Sequence, residues 1–188
     1  MRPNFEQIAG QFRIPGTLRA AEPYGSGHIN DTYRVVMATA AGETPYIIQR
    51  INHTIFTDVP GLMDNVRRVT NHLRRRLDEE GDHTLDREAL TVIPTTDGQA
   101  YHLDADGNYW RAYVFITGAQ TYDAVRDGRM AYEAAKAFGQ FQKLLLDLPA
   151  PPLNETIPFF HHTPNRFARL EAAISADACN RAATCPED

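Results

Sequence analysis

The sequence predicts an α+β fold in which an antiparallel sheet is laid down first and helices follow. Three observations carry this expectation. Runs rich in β-branched and aromatic residues crowd the stretch from Thr17 to Ile116. Short turn signals, two of them Asp-Gly, join most of these runs where a parallel sheet would need crossover helices. After about Met130 the period becomes helical, so the layers are segregated and there is no βαβ alternation.

The opening "PNFEQIAGQF" sets Phe5, Ile8 and Phe12 on one helical face, with Asn4 placed to cap it and Gln7 to complete a capping box. Pro15 and Gly16 stop that helix. "TLRAAEPY", "TYRVVMAT" and "PYIIQRIN" then read as three consecutive antiparallel strands from Thr17 to Asn52. A glycine-bearing loop joins the first two and "AAGET" the second pair. In "FTDVPGLMDNVRRVTNHLRRRLDEEG", Leu62, Val66, Val69, Leu73 and Leu77 recur at helical spacing, with Asp58 as N-cap and Pro60 in the first turn. The arginines at 67, 68, 74, 75 and 76 fall mainly off that stripe and read as a solvated face rather than a nucleic-acid patch.

"ALTVIPTTDGQAYHLDADGNYWRAYVFI" supplies two or three more strands, with hairpins at "TTDG" and "DADGN" and with Trp110 and Tyr113 in the core. "DADGN" has part of a calcium loop, but its glycine is misplaced and no downstream glutamate completes it. A polar connector, "TGAQTYDAVRDG", leads to a helix over about 130–148 with Phe138, Phe141, Leu145 and Leu148 aligned, ended by Pro149, Pro151 and Pro152. "ETIPFFHHTPNRFARLEAAISAD" is a loop and one more helix. Phe159 and Phe160 are expected to pack, and the adjacent His161 and His162 to point apart rather than share a metal.

Bulk properties narrow the function classes. A chain of 188 residues with net charge -5 and 43% hydrophobic residues has material for a core and little attraction for nucleic acid. No apolar run reaches membrane-spanning length and the N-terminus lacks a signal-like core, so no membrane partner is expected. Cys179 and Cys185 match no zinc spacing and read as reduced thiols of a cytoplasmic protein.

The stretch "YGSGHINDTYRVV" concentrates the groups that need explaining. It is either a glycine-containing hairpin turn or a loop whose amides wrap a phosphate. Gly25 and Gly27 let backbone approach an anion, while Ser26, Asn30 and Thr32 add neutral donors. His28 either reaches the phosphate or shapes the loop. The topology is neither that of a Walker loop nor that of a dinucleotide fingerprint, both of which run from a strand into a helix. A glycine loop between antiparallel strands is how protein-kinase-like folds cover the phosphates of ATP. Such a fold needs a cation on the next strand. Arg50, with Gln49 beside it, either meets an anion there or points to solvent, and Asp64 on the following helix could steady it. Phe115, Ile116, Thr117 and Gly118 stand where strands give way to helices, as a nucleotide hinge or as a plain linker.

Taken together and in this order, "GSGHINDTY", "YIIQRIN", "VTNHL", "YVFITGAQTYD" and "LNETIPFFHHTPNRF" resemble the aminoglycoside phosphotransferase and choline kinase superfamily, and within it the group of N-acetylhexosamine 1-kinases. The resemblance implies a protein-kinase-like bilobal fold. A nucleotide lobe would span 1–117, and a hinge with the start of a helical lobe 118–188. It further implies ATP and Mg2+, a sugar-like acceptor hydroxyl, a phosphate loop over Gly25–Thr32, Gln49 or Arg50 in place of a strand lysine, and a hinge over Phe115–Gly118. Homoserine, an amino alcohol or an aminoglycoside are the alternative acceptors, and a non-catalytic binding module is the alternative class. No "HGD"-like or "HxD"-like stretch follows Leu148, and "HLDAD" at 102–106 reads as hairpin. The expectation is therefore a truncated chain without catalytic or metal-holding residues, which at most cradles the nucleotide, with weak or undetectable affinity for ATP, and turns over no substrate.

Overall fold

A computed structural model describes residues 3–81 and 85–184; Cys185 lies outside the described residues. The chain is α+β, with a six-stranded antiparallel sheet and several helices. One compact unit ends at Thr156 and a second begins at Ile157.

The first helix, α1 (Phe5–Ala9), is capped as its sequence requires, the Asn4 side chain accepting from the Gln7 N–H at 3.2 Å. Gly16 ends the segment with φ at 99°, and an added Cβ would lie 2.4 Å from the Ala38 carbonyl oxygen, so only glycine fits. The strands β1 (Thr17–Pro23), β2 (Asp31–Thr39) and β3 (Gly42–Ile51) form the expected antiparallel meander. The β2–β3 turn is tighter than "AAGET" suggested, because pairing runs out to Thr39 opposite Gly42.

Helix α2 (Val59–Glu79) follows, capped by Asp58 accepting from the Gly61 N–H at 2.9 Å, and then the short α3 (Leu85–Glu88). The strands β4 (Val92–Ile93), β5 (His102–Leu103) and β6 (Tyr109–Val114) complete the sheet in the order β1-β2-β3-β6-β4, with β5 also on β6. Both Asp-Gly turns form, closed by Thr95 N–H to Gln99 O at 2.8 Å and Asp104 N–H to Asn108 O at 2.9 Å.

Two helices cover the two faces of this sheet. Phe5, Ile8, Ala9 and Phe12 pack on Val35, Ile48, Trp110 and Ala112 on one side. Val59 and Met63 of α2 pack with Ile51, Val92 and Tyr109 on the other. Trp110 and Tyr113 are both core, on opposite faces, as their odd separation on a strand requires. The Trp110 indole N–H donates to Asp104 at 2.7 Å. Partial burial is the largest single influence on the Asp104 carboxyl and pushes it up. Donors from Trp110, Asn108 and the Asp106 amide together outweigh burial and hold it below its ordinary value.

The arginines of α2 meet the expectation of a solvated face in part, with Arg67 and Arg75 exposed and others engaged by neighbouring chain. Arg68 donates to the carbonyls of Pro149, Pro151 and Pro152, and its side chain is only 19% exposed. Arg74 donates to Thr91 at 2.8 Å. His72 is buried, with Nε2 2.9 Å from the Leu144 carbonyl and Nδ1 3.1 Å from Arg75. Arginine can only donate, so Nδ1 accepts and Nε2 carries the hydrogen toward Leu144.

Helix α4 (Gly128–Leu144) ends before Leu148, its last turn tapering through Leu145, Leu146 and Leu148 N–H bonds to carbonyls three residues back. Its apolar stripe is covered only toward its C-terminal end, where Leu144 and Leu145 pack with Leu73, Leu77 and Ala89, and Phe138 is left 71% exposed. In the second unit, α5 (Thr163–Ala176) is capped by His162 Nδ1 accepting from the Asn165 N–H at 3.1 Å. Phe159 and Phe160 are exposed there rather than packed in a core; Phe160 meets the His161 ring at 4.7 Å and Arg166 lies over it.

Candidate functional site

The glycine loop crosses from Tyr24 to Asn30 between β1 and β2, and the Tyr24 N–H to Thr32 carbonyl bond, 2.9 Å, closes its neck. Every residue from Tyr24 to Ile29 is exposed. An added Cβ at Gly25 or Gly27 would meet nothing within 4 Å, and Gly25 has φ at 83°. The loop is therefore open to solvent, and the tight turn at Gly25 is one that L-residues resist.

The first half of the loop belongs with the connector after β6. The Tyr24 ring meets Phe115 edge-on at 5.4 Å, and the Arg34 guanidinium lies 5.4 Å over the same ring. Ser26 donates to Asp123 at 2.6 Å, bridging loop and connector. The predicted hinge therefore begins beside the neck of the predicted phosphate loop, where Phe115 meets Tyr24. Within it Phe115 and Ile116 are half-buried, while Thr117 and Gly118 are exposed. The Thr117 carbonyl is already engaged by Arg87 at 2.6 Å, which leaves it less free for a ligand.

The second half of the loop is tied to the sheet. Asn30 accepts from the Asn52 N–H at 2.9 Å, so that side chain shapes the loop. Asp31 pairs with Arg50. His28, Ile29, Asp31, Arg50, Asn52 and His53 line a cavity of about 330 Å³ at that end of the sheet.

Strand parity separates the two residues proposed for the strand cation. Arg50 shares the face of Ile48, and its charge is met by Asp31, so no anionic ligand is needed to explain it. Gln49 stands on the face that α2 covers, opposite Thr32 on one side and Arg111 on the other. Asp64 does not steady either residue, because it pairs with Arg67 at 3.0 Å and Arg68 at 3.8 Å on its own helix.

The cation in register with Gln49 on that face is Arg111, which sequence reasoning missed. Its Nε and Nη2 both donate to Gln49 Oε1, at 2.9 and 2.6 Å, and its guanidinium lies 5.3 Å from the Tyr113 ring centroid. Burial pulls its pKa below the ordinary guanidinium value, an effect that Tyr113 partly opposes. The signal was present in "YWRAYV", an arginine in mid-strand between aromatic residues, but nothing there marked which face it occupied.

A larger groove, about 460 Å³, lies between α2 and the β4 turn region, and none of the glycine-loop residues line it. Among the described residues no group of three histidine, cysteine or acidic side chains is placed to hold a metal ion. No helix among them is long and apolar enough to cross a membrane. No family model matches the chain.

Proposed function

We propose that this chain carries the nucleotide-gripping part of an ATP-dependent phosphotransferase that acts on a hydroxyl of a small, sugar-like molecule. The observation that carries the reading is the exposed glycine loop between antiparallel strands, set beside the connector at Phe115 and bonded to it through Ser26 and Asp123. Phosphoryl transfer depends on positioning and charge neutralisation more than on covalent chemistry. The loop offers the first through backbone N–H groups that approach a phosphate without side chains in the way. Among the described residues no three histidine, cysteine or acidic side chains converge, which leaves the nucleotide's own phosphates as the main ligands for the Mg2+ that this reading calls for.

The reading assigns this stretch the binding of the triphosphate, with Gly25 to His28 above it and Phe115 to Gly118 beside the base. It gives the stretch no residue for activating the acceptor, so the 188-residue chain is expected to transfer no phosphate. Thermal melting with and without ATP tests the reading. At about a hundredfold excess over Kd a single site stabilises by roughly 2.7 kcal/mol. An ATP-dependent rise in Tm supports it, and an unchanged melt at millimolar nucleotide refutes it. Robust phosphorylation of a hexosamine by this chain alone would overturn the assignment of roles.

A further inference from the structure

Thr32, Gln49 and Arg111 stand directly opposite one another across β2, β3 and β6, one row of the ladder on one face. Arginine has only donors, so the Gln49 atom that faces Arg111 is its carboxamide oxygen. The carboxamide nitrogen must then face the other way, and it donates to Thr32 Oγ1 at 2.6 Å. Each bond in the row runs in the same sense, from the guanidinium to the amide to the hydroxyl. The Thr32 oxygen is occupied as an acceptor by Gln49. Among the described residues its own hydrogen has no acceptor.

The guanidinium is held without a carboxylate within 4 Å among the described residues, so its charge is not cancelled where it sits. A chain of hydrogen bonds that starts on a cation polarises each member in turn and strengthens the last donor. That last donor is at the neck of the glycine loop, since the Thr32 carbonyl also receives the Tyr24 N–H.

We infer that Arg111 is a positioning residue whose charge is relayed through Gln49 to the Thr32 hydroxyl, which donates to a phosphate oxygen held by the glycine loop. The inference rests on the nucleotide reading above and extends it by naming which end of the ligand this row serves. Gln49 takes the place of a strand cation by relaying a charge supplied from the neighbouring strand.

Gln49→Glu separates this role from a merely structural one. A carboxylate at this position keeps the bonds from Arg111 and gains an ion pair with it, so the fold retains its packing. It has no N–H for Thr32, however, so the hydroxyl turns inward to donate to the carboxylate, and the outward donor is lost. Thr32→Val removes the same donor by deletion at nearly constant shape. Both variants and the wild type are titrated calorimetrically with tripolyphosphate, ATP and adenosine, with melting curves recorded on the same samples.

The expected result is a loss of about 10- to 100-fold in affinity for tripolyphosphate and ATP in both variants, the range of one hydrogen bond to a charged group. Adenosine binding stays within about twofold of wild type, since the base end is untouched. Arg111→Lys keeps a charged donor for the single oxygen at Gln49 and retains most of the affinity that Arg111→Met loses. If the wild type binds both phosphate probes and the Gln49→Glu and Thr32→Val variants bind them equally well, the relay is wrong and the loop reading stands. If the wild type binds neither tripolyphosphate nor ATP, both are overturned. If Gln49→Glu melts well below wild type, the Thr32→Val titration decides alone.

Discussion

Arg67 and Arg68 are neighbours on one helix and of one chemical type, yet their replacement by methionine should have very different consequences. The Arg68 side chain is 19% exposed and converges on three carbonyls, those of Pro149, Pro151 and Pro152. The Arg67 side chain is 62% exposed and pairs with Asp64 three residues away. Hydrogen bonds from a charged donor contribute roughly 1.5–3 kcal/mol each when the acceptor is stranded by the loss. The proline carbonyls belong to exposed residues that water can reach, so the three do not add. A net cost near the value of one such bond, about 2 kcal/mol, follows for Arg68→Met. In a chain of this size that is a fall in Tm of roughly 4–8 °C. Arg67→Met loses only an exposed pair, about 0.3–0.5 kcal/mol. Urea unfolding of the two variants beside wild type measures both. Equal effects, in either direction, would show that the grip of α2 on the segment after α4 is not what holds Arg68 in place.

Gly27→Ala should leave the melting curve within about 0.5 kcal/mol of wild type, because the added methyl meets open space and the backbone is not left-handed. The same change should weaken ATP binding if amides approach phosphate there, which calorimetry reads directly. Gly25→Ala should cost about 1–2 kcal/mol by denaturant melting, from its φ of 83° alone. Asp104 is held below its ordinary pKa despite burial, by the donors of Trp110, Asn108 and Asp106. Its contribution is therefore fully present above the unfolded carboxylate pKa of about 3.9 and is lost as pH falls through the lower folded value. Acid titrations followed by near-ultraviolet circular dichroism should show wild type losing stability more steeply there than Asp104→Asn, and parallel curves would contradict the assignment. Ile48→Ala, at a fully buried position, should cost about 2–5 kcal/mol in urea.

The order of strands and helices was legible because turns and periods are local. Asn4, Asp58 and the two Asp-Gly turns each fix their element with neighbours a few residues away, and all four form as read. The face of each strand residue was not legible. Helices α1 and α2 cover opposite sides of the same sheet, so β3 carries core residues on both faces, Ile48 on one and Ile51 on the other, and its pattern gives no contrast between them. That is why Gln49 and Arg50 could not be told apart, and why Arg111 escaped notice until its register with Gln49 was seen. Helical period identified α4 but could not say what its stripe meets, and Phe138 is left largely exposed. The partners of Arg68 are carbonyls more than eighty residues on, in a proline segment whose composition suggests only a helix stop.

Everything proposed for the site depends on the amides of the glycine loop facing a nucleotide across the Phe115 connector. Nuclear magnetic resonance of the isotope-labelled chain, titrated with magnesium and ATP into the millimolar range, tests that most directly. The largest amide shifts should fall on Gly25 to His28 and on Ile116 to Gly118, with smaller ones at Thr32. Shifts confined to the groove between α2 and the β4 turn region, or none at all, would contradict it.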